Sequence, residues 1–486
     1  MSVKRLYAGL MTGAALFALS APSAYADTKK EKELEARIEA LEKAFGSLTG
    51  QLQSSQAENV QLRAAVAQAQ ANSADAQAKA SEAAKSLEAA KPALAAAKQD
   101  GFSVGNGATR IKIGGFLKTV VTMSKWDDGS VAANSLGRDF YLPSTIPVRT
   151  AVPARSTTNN DYSAKHTRLW LNLDSNVAGH VLKGYLETDF QTSAGTQGSE
   201  RTTNGYNLAL RRAYVQFDSL TVGQDWSTFQ NVATLPESTD FVGTTEGTVF
   251  VRQPLVRYSK KLSNKATLHV ALENGETQSA VMAPVGTPPA LTIVATENDQ
   301  DKLPDIAARL NVTTPVGEFA LAGLGRQLRV DSGAVEDTAF GWGVSGSGKL
   351  VFGGKKQHDL RFMATYGEGL GRYVGLNFSP DAIISAAGRL ETPRLFAGFA
   401  ALRIGLTPSV RTNLMASYQD VSYPGGFAAG YFNGFNETAY SFAGNIFWTP
   451  AKGFDVGAEY RHGVRELVSG ATGQLDRLEF AAKYSF

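Results

Sequence analysis

The 486 residues contain no cysteine, which excludes disulfides, thiolate metal sites and thiol nucleophiles. The absence does not by itself separate a reducing compartment from an oxidising one. Histidine is almost as scarce. The five, His166, His180, His269, His358 and His462, are not spaced as a pair of ligands on one element, so no metal site is expected and no cofactor is implied. Charge of one sign is lacking too. Lys+Arg number 48 and Asp+Glu 45, a formal net charge of +3, and this balance argues against a nucleic-acid partner. Beyond residue 26 no uninterrupted apolar run reaches the roughly twenty residues that a membrane-crossing helix needs.

Lys4 and Arg5, an apolar stretch over 6–19 and the small residues Ala24 and Ala26 around Tyr25 form the three parts of a secretory signal peptide, expected over 1–26. From 27 to 99 the apolar and small residues fall alternately four and three apart, through Leu34, Ile38, Leu41, Phe45, Leu48, Leu52, Asn59, Leu62 and Val66. That register predicts a coiled-coil stalk. Its seam thins to alanine after Val66, and Gly46 and Gly50 weaken the helix early on. Asn59 on the seam has two readings: a residue that fixes register and oligomer number, or a frayed, solvated position. Pro92 ends or kinks the helix. Oligomerisation is the expected job, with reach across the periplasm as the second.

At Gly101 the alanine-rich pattern gives way to Gly, Thr, aromatic and β-branched residues with a period of two. Leu478, Phe480, Ala482, Tyr484 and Phe486 alternate with Arg477, Glu479, Ala481, Lys483 and Ser485. Leu360, Phe362, Ala364 and Tyr366 alternate with Asp359, Arg361, Met363 and Thr365. Each strand alone fits a soluble sandwich or a membrane barrel. Connections decide. Short links near 175–179, 218–220, 261–264, 314–317, 353–357, 407–409 and 450–452 alternate with long ones over 127–165, 191–205, 228–248, 274–302, 331–337, 370–393, 423–436 and 468–473. This rhythm predicts an all-β transmembrane barrel of about sixteen antiparallel strands over 100–486, wide enough for an aqueous channel.

The heptad stalk, the run GQDWSTF, LPESTDF and VRQPLVRYS within 223–258, and the terminal phenylalanine resemble the DcaP-like family of trimeric outer-membrane porins. The resemblance implies a homotrimer of sixteen-stranded barrels in the outer membrane of a Gram-negative bacterium, with the coiled coil in the periplasm. It also implies uptake of small anionic solutes, dicarboxylates in particular. Outer-membrane lipid and lipopolysaccharide would surround the barrel.

If the greasy parity faces lipid, the charged parity faces the lumen, because charge is costly on the lipid side. Arg168, Arg212, Arg252, Arg257, Arg309, Arg361, Arg403 and Arg461 are then the candidate pore-lining and solute-binding residues. The loop over 228–248 is too long for a hairpin and is expected to fold into the barrel, carrying Glu237, Asp240 and Glu246. Arg212, Arg257, Arg252 and Arg168 are expected across from these acids, where a guanidinium fork suits a small carboxylate or phosphate. The plainer reading is that such arginines pair with neighbouring carboxylates and stiffen the wall. Parity slips at Leu210, Arg211, Arg212 and at Leu324, Arg326, Leu328, Arg329, so a bulge could turn Arg212, Arg326 or Arg329 outward. No catalytic residue is expected: His269 faces the lumen, but LHVALEN offers it no serine on the same face. The competing functions are a non-specific porin and a tether or adhesin that passes no solute.

Overall fold

The computed structural model describes residues 102–104, 109–133, 135–149, 155–191, 204–285, 290–297, 300–333 and 335–486, with Glu39, Lys43, Gly46, Gly50 and Ser81. Two units divide the chain, Met1–Gln99 and Asp100–Phe486. In the first, the five described residues are helical. The expected signal peptide and the seam residues from Leu34 to Val66 lie outside the described residues.

In the second unit sixteen antiparallel strands close into a barrel. They are β1 (Thr109–Trp126), β2 (two pieces, Thr157–Ser163 and Arg168–Val177), β3 (His180–Asp189), β4 (Ala209–Phe217), β5 (Leu220–Trp226), β6 (Arg252–Lys261), β7 (Ala266–Glu273) and β8 (Asp305–Thr314). There follow β9 (Gly317–Asp331), β10 (Glu336–Phe352), β11 (His358–Glu368), β12 (Arg394–Gly405), β13 (Val410–Ser422), β14 (Asn436–Ala451), β15 (Phe454–Leu467) and β16 (Thr472–Ser485). Both pieces of β2 pair with β1, so the break at 164–167 interrupts one strand and does not make two. Closure is direct, with Phe116 opposite Ser485 and Trp126 opposite Leu475.

The period-two pattern explains the two faces. Val270, Leu272, Phe442, Ile446, Trp448, Leu478 and Phe480 are exposed on the outside, while Ser441, Asn445, Arg477 and Glu479 on the opposite parity are buried. An exposed apolar exterior over a charged interior is stable only where the outer solvent is hydrocarbon. Leu321 lies on that exterior. Leu321→Arg is therefore expected to cost about 2 kcal/mol, as measured by denaturant unfolding in lipid vesicles.

Two expectations change. The links at 332–335 and 468–471 are as tight as those at the opposite end, because β9, β10, β15 and β16 run on as strands where long loops were expected. Leu324, Leu328 and Val330 face inward and are buried. There the wall is covered from inside by Leu370, Ala382 and Leu390, so apolar side chains on the inner parity have a protein surface to bury against. The connection 274–304 carries its own hairpin, Gln278–Val285 with Ala290–Glu297. That hairpin adds Ala382–Ile384 in parallel and Leu390–Glu391 beyond it, making a four-stranded cap at the end of the barrel opposite the uniformly tight turns.

Candidate functional site: the inserted loop and the basic wall

β5 and β6 are joined by 227–251, which folds inward and is buried along most of its length. Local sequence makes the departure possible. Gly223 in β5 has φ +133°, and a Cβ there would strike the Ala213 carbonyl and Tyr214 backbone of β4; only glycine holds that bend. At the far side Gly247 lies flat against the backbone of Gly398 in β12, with no room for a Cβ. Gly247→Val is expected to lift the loop from the wall and raise single-channel conductance. An unchanged conductance would mean that the loop does not constrict the pore.

The loop is fastened by polar contacts from around the ring. Thr228 N donates to Glu273 of β7 at 2.6 Å and Asn231 Nδ2 to Ser347 of β10 at 3.0 Å. Arg361 of β11 donates to the Leu235 carbonyl at 2.5 Å. Ser238 Oγ donates to Glu459 of β15 at 2.7 Å, and Gly247 N to Ser417 of β13 at 2.8 Å. Lys118 Nζ of β1 reaches the Thr239 carbonyl at 2.5 Å. A buried loop must satisfy its backbone groups inside the protein, and these side chains do so.

The loop acids are part of the same fastening, and among the described residues none of them pairs with Arg212, Arg257, Arg252 or Arg168, although Glu237 and Arg168 border one cavity. Glu237 takes a two-pronged pair from Arg411 of β13, at 2.6 and 2.5 Å. Asp240 accepts from the backbone N–H groups of Tyr141 (2.7 Å), Val242 (3.0 Å) and Gly243 (2.9 Å). Glu246 accepts from the Tyr141 hydroxyl at 2.5 Å and from Ser441 at 3.1 Å. Burial pushes the Glu246 carboxyl above its ordinary range, while the Tyr141 hydroxyl and Arg461 pull it the other way. A carboxylate within reach of a donor in a low-dielectric interior pairs with it, so the acids became anchors.

Most of the candidate arginines are paired in the wall. Arg212 holds Asp225 at 2.6 Å and Glu187 at 3.4 Å, and Arg257 also holds Asp225. Arg361 holds Asp359 at 2.6 Å; Arg403 stands 3.7 Å from Asp359 and 3.9 Å from Glu237; Arg461 holds Glu459 at 2.7 Å. Arg309 donates to the Thr228 and Gln230 carbonyls. Among the described residues Arg252 has no ion-pair partner. It lies over the Trp226 ring at 4.9 Å, with a buried Nη1 that makes no hydrogen bond. Arg168 lies between the rings of Phe116 (5.4 Å) and Phe241 (5.9 Å), 3.6 Å from Glu187 and 3.7 Å from Asp189.

The expected bulge exists, but it turns nothing outward at Arg212. The β3–β4 register shifts between Glu187 and Thr188, which puts both Arg211 and Arg212 on the inner face. Arg211 is buried against Glu187 at 2.6 Å and against Asp189, over the rings of Trp226 (5.8 Å) and Phe241 (5.2 Å). Arg326 also faces inward and is fully buried, whereas Arg329 shares the outer row with Asp331 and Glu336 and pairs with both. Across β2–β6, five guanidiniums (Arg168, Arg211, Arg212, Arg252, Arg257) meet three carboxylates (Glu187, Asp189, Asp225), a local excess of two positive charges. Interleaved Trp226, Phe241 and Phe116 hold the guanidiniums by cation–π contact.

Between the loop and the wall of β1, β2 and β14–β16 lies a cavity of about 190 Å³, lined in part by Lys118, His166, Arg168 and Lys483. Reading along single strands misses Arg211, His166 and Tyr141. It also misses that Ser259 of β6 lies 2.8 Å from His269 Nδ1 across the ladder. Among the described residues no carboxylate contacts His269, so the pair is not extended into a triad.

The chain is similar in structure to the outer membrane channel DcaP of Acinetobacter baumannii, with a TM-score of 0.64 and 23% sequence identity over 80% of this chain and 100% of that one. Weaker likenesses are to the anion-selective porin from Comamonas acidovorans (TM-score 0.48, 10% identity, 78% of this chain and 100% of that one) and to outer-membrane expressed OmpT of Vibrio cholerae (0.47, 11%, 79% and 100%). No curated protein matches the sequence. A family model described as DcaP outer membrane protein matches residues 109–486, the whole of the closed barrel, and the chain belongs to that family.

Proposed function

We propose that the chain is an outer-membrane porin through which small hydrophilic solutes diffuse passively, with a preference for small anions, dicarboxylates among them. Family membership and a barrel with an oily exterior and a charged interior support the channel and its seat in the outer membrane of a Gram-negative bacterium. The heptad register of 27–99 supports assembly as a homotrimer through a periplasmic coiled coil, after loss of the signal peptide. The exposed apolar rows support contact with lipid and lipopolysaccharide.

The observation that carries the anion preference is the excess of five guanidiniums over three carboxylates on β2–β6. Fixed positive charge on a narrow wall lowers the barrier for anions and raises it for cations. Arg252, Arg168 and Arg309 are the candidates for direct contact, since among the described residues none of them has a carboxylate within hydrogen-bonding distance. Liposome swelling tests the reading with two four-carbon solutes of opposite charge. Succinate is expected to enter faster than 1,4-diaminobutane; the reverse order would overturn the preference, and entry of neither would favour the tether.

A further inference from the structure

We infer that the cavity between the inserted loop and β1, β2 and β14–β16 is a binding subsite for a monocarboxylate with a short apolar body, an inference that rests on the anion-channel reading. Charge sets the carboxylate count. Of the groups lining the cavity, Lys118, Arg168 and Lys483 are cationic and Glu237 and Asp455 anionic, three against two. Both acids are already engaged: Glu237 by Arg411 at 2.6 and 2.5 Å, Asp455 by Arg411 at 3.0 Å, Thr449 at 2.6 Å and Lys483 at 3.3 Å. With Arg411 answering both acids from outside the cavity, Lys483 on Asp455 and Arg168 beside Glu187 and Asp189, Lys118 is the lining cation with donors to spare, enough for one carboxylate.

Unused donors sit at the same place. Lys118 Nζ spends one of its three N–H bonds on the Thr239 carbonyl. Arg168 Nε is buried without a hydrogen bond, and its carboxylate neighbours stand at 3.6 and 3.7 Å, beyond hydrogen-bonding distance. His166 is 2% exposed and borders the same space. Buried polar atoms of this kind call for a partner, and a carboxylate supplies acceptors for them.

The rest of the lining is apolar. Phe116, Phe241 and Phe447 bound the cavity, with Ala481 beside them. An inorganic anion would leave these rings facing water or vacuum. A second carboxylate would be desolvated against them, or held near Glu237 and Asp455, without a cation left to meet it. At about 190 Å³ the space lies below the range that takes drug-sized ligands, which favours a body of a few carbons.

The test is block of single-channel current by acetate, propionate, butyrate and succinate, using the full-length protein in planar bilayers at neutral pH. Each added methylene is expected to tighten the block about threefold, so that butyrate blocks roughly tenfold more tightly than acetate and more tightly than succinate. Phe241→Ser and Phe116→Ser are expected to flatten the series, and to weaken acetate block by less than butyrate block, because both rings also hold the Arg168 guanidinium. Lys118→Met weakens all the monocarboxylates, and Lys118→Arg restores them. Succinate ahead of butyrate, or a chain-length series that survives both phenylalanine variants, overturns the subsite. A channel that prefers cations would overturn the anion preference on which the subsite rests, whereas an anion-preferring channel with butyrate no better than acetate overturns the subsite alone.

Discussion

Arg326→Ala is expected to destabilise the barrel by about 3–5 kcal/mol and to free the cap of four short strands from the mouth. Arg326 is fully buried in β9 and reaches three segments at once. Its Nη1 donates to Asp381 at 2.8 Å and to the Gly369 carbonyl at 3.0 Å, its Nη2 donates to the Glu276 carbonyl at 2.5 Å, and Asp305 of β8 lies at 3.4 Å. Asp381 in turn accepts from the backbone of Gln278 and Arg372. Truncation leaves two carboxylates buried with no cation, which is the costly half of breaking a buried pair. Limited proteolysis within 274–304 and 369–393, with denaturant unfolding in vesicles, checks both parts. Wild-type protection in the variant would show that the cap is held by its own hairpin.

The cap is also joined to the constriction. Val249 bridges Val374, Phe250 N donates to the Tyr373 carbonyl at 2.9 Å, and Gly375 N to the Thr248 carbonyl at 3.2 Å. The Tyr373 hydroxyl donates to Asp305 at 2.7 Å and accepts from Gln253 at 2.8 Å. Freeing the cap is therefore expected to broaden the distribution of open-channel currents as well, because the inserted loop loses one of its supports.

Arg168→Glu combined with Arg252→Glu is expected to change the sign of ion selectivity. The wall of β2–β6 then carries three guanidiniums against five carboxylates, an excess of two negative charges in place of two positive ones. The two positions are chosen because neither arginine makes a close ion pair, so the exchange does not orphan a bonded acid as Arg211→Glu would. The lysine pair, Arg168→Lys with Arg252→Lys, keeps the charge and is expected to keep the sign. Reversal potentials of the two double variants in a bilayer decide it. An anion-selective glutamate variant would mean that selectivity is set elsewhere in the lumen.

Much of the barrel could be read from the chain because it rests on local rules. Alternation along Leu478–Phe486 or Leu360–Tyr366 needs only the two faces of one strand, and the alternation of links supplied the count of sixteen. The same rules failed where a strand's inner face met protein instead of water, as at Leu324, Leu328 and Val330. They failed again at 331–337 and 468–473, read as long links, where the strands run on to Asp331 and Leu467 and resume at Glu336 and Thr472.

The site was legible in outline and not in its pairings. That 228–248 enters the barrel follows from its length and apolar content. Which side chain meets which does not, because the contacts reach from the wall to the inserted loop, Arg411 to Glu237 and Tyr141 to Asp240 and Glu246, or pass between neighbouring strands, Ser259 to His269. Nothing in the local pattern marks Tyr141, which comes from the connection after β1. The bulge was readable at Leu210, Arg211, Arg212, but its direction depended on Glu187 and Asp189 of β3 offering carboxylates to both guanidiniums.

The most direct test of the basic wall and its inserted loop is the zero-current potential of the purified protein in a planar bilayer under a potassium chloride gradient. The expected sign is the one set by chloride crossing more readily than potassium. A potential of the opposite sign would contradict it.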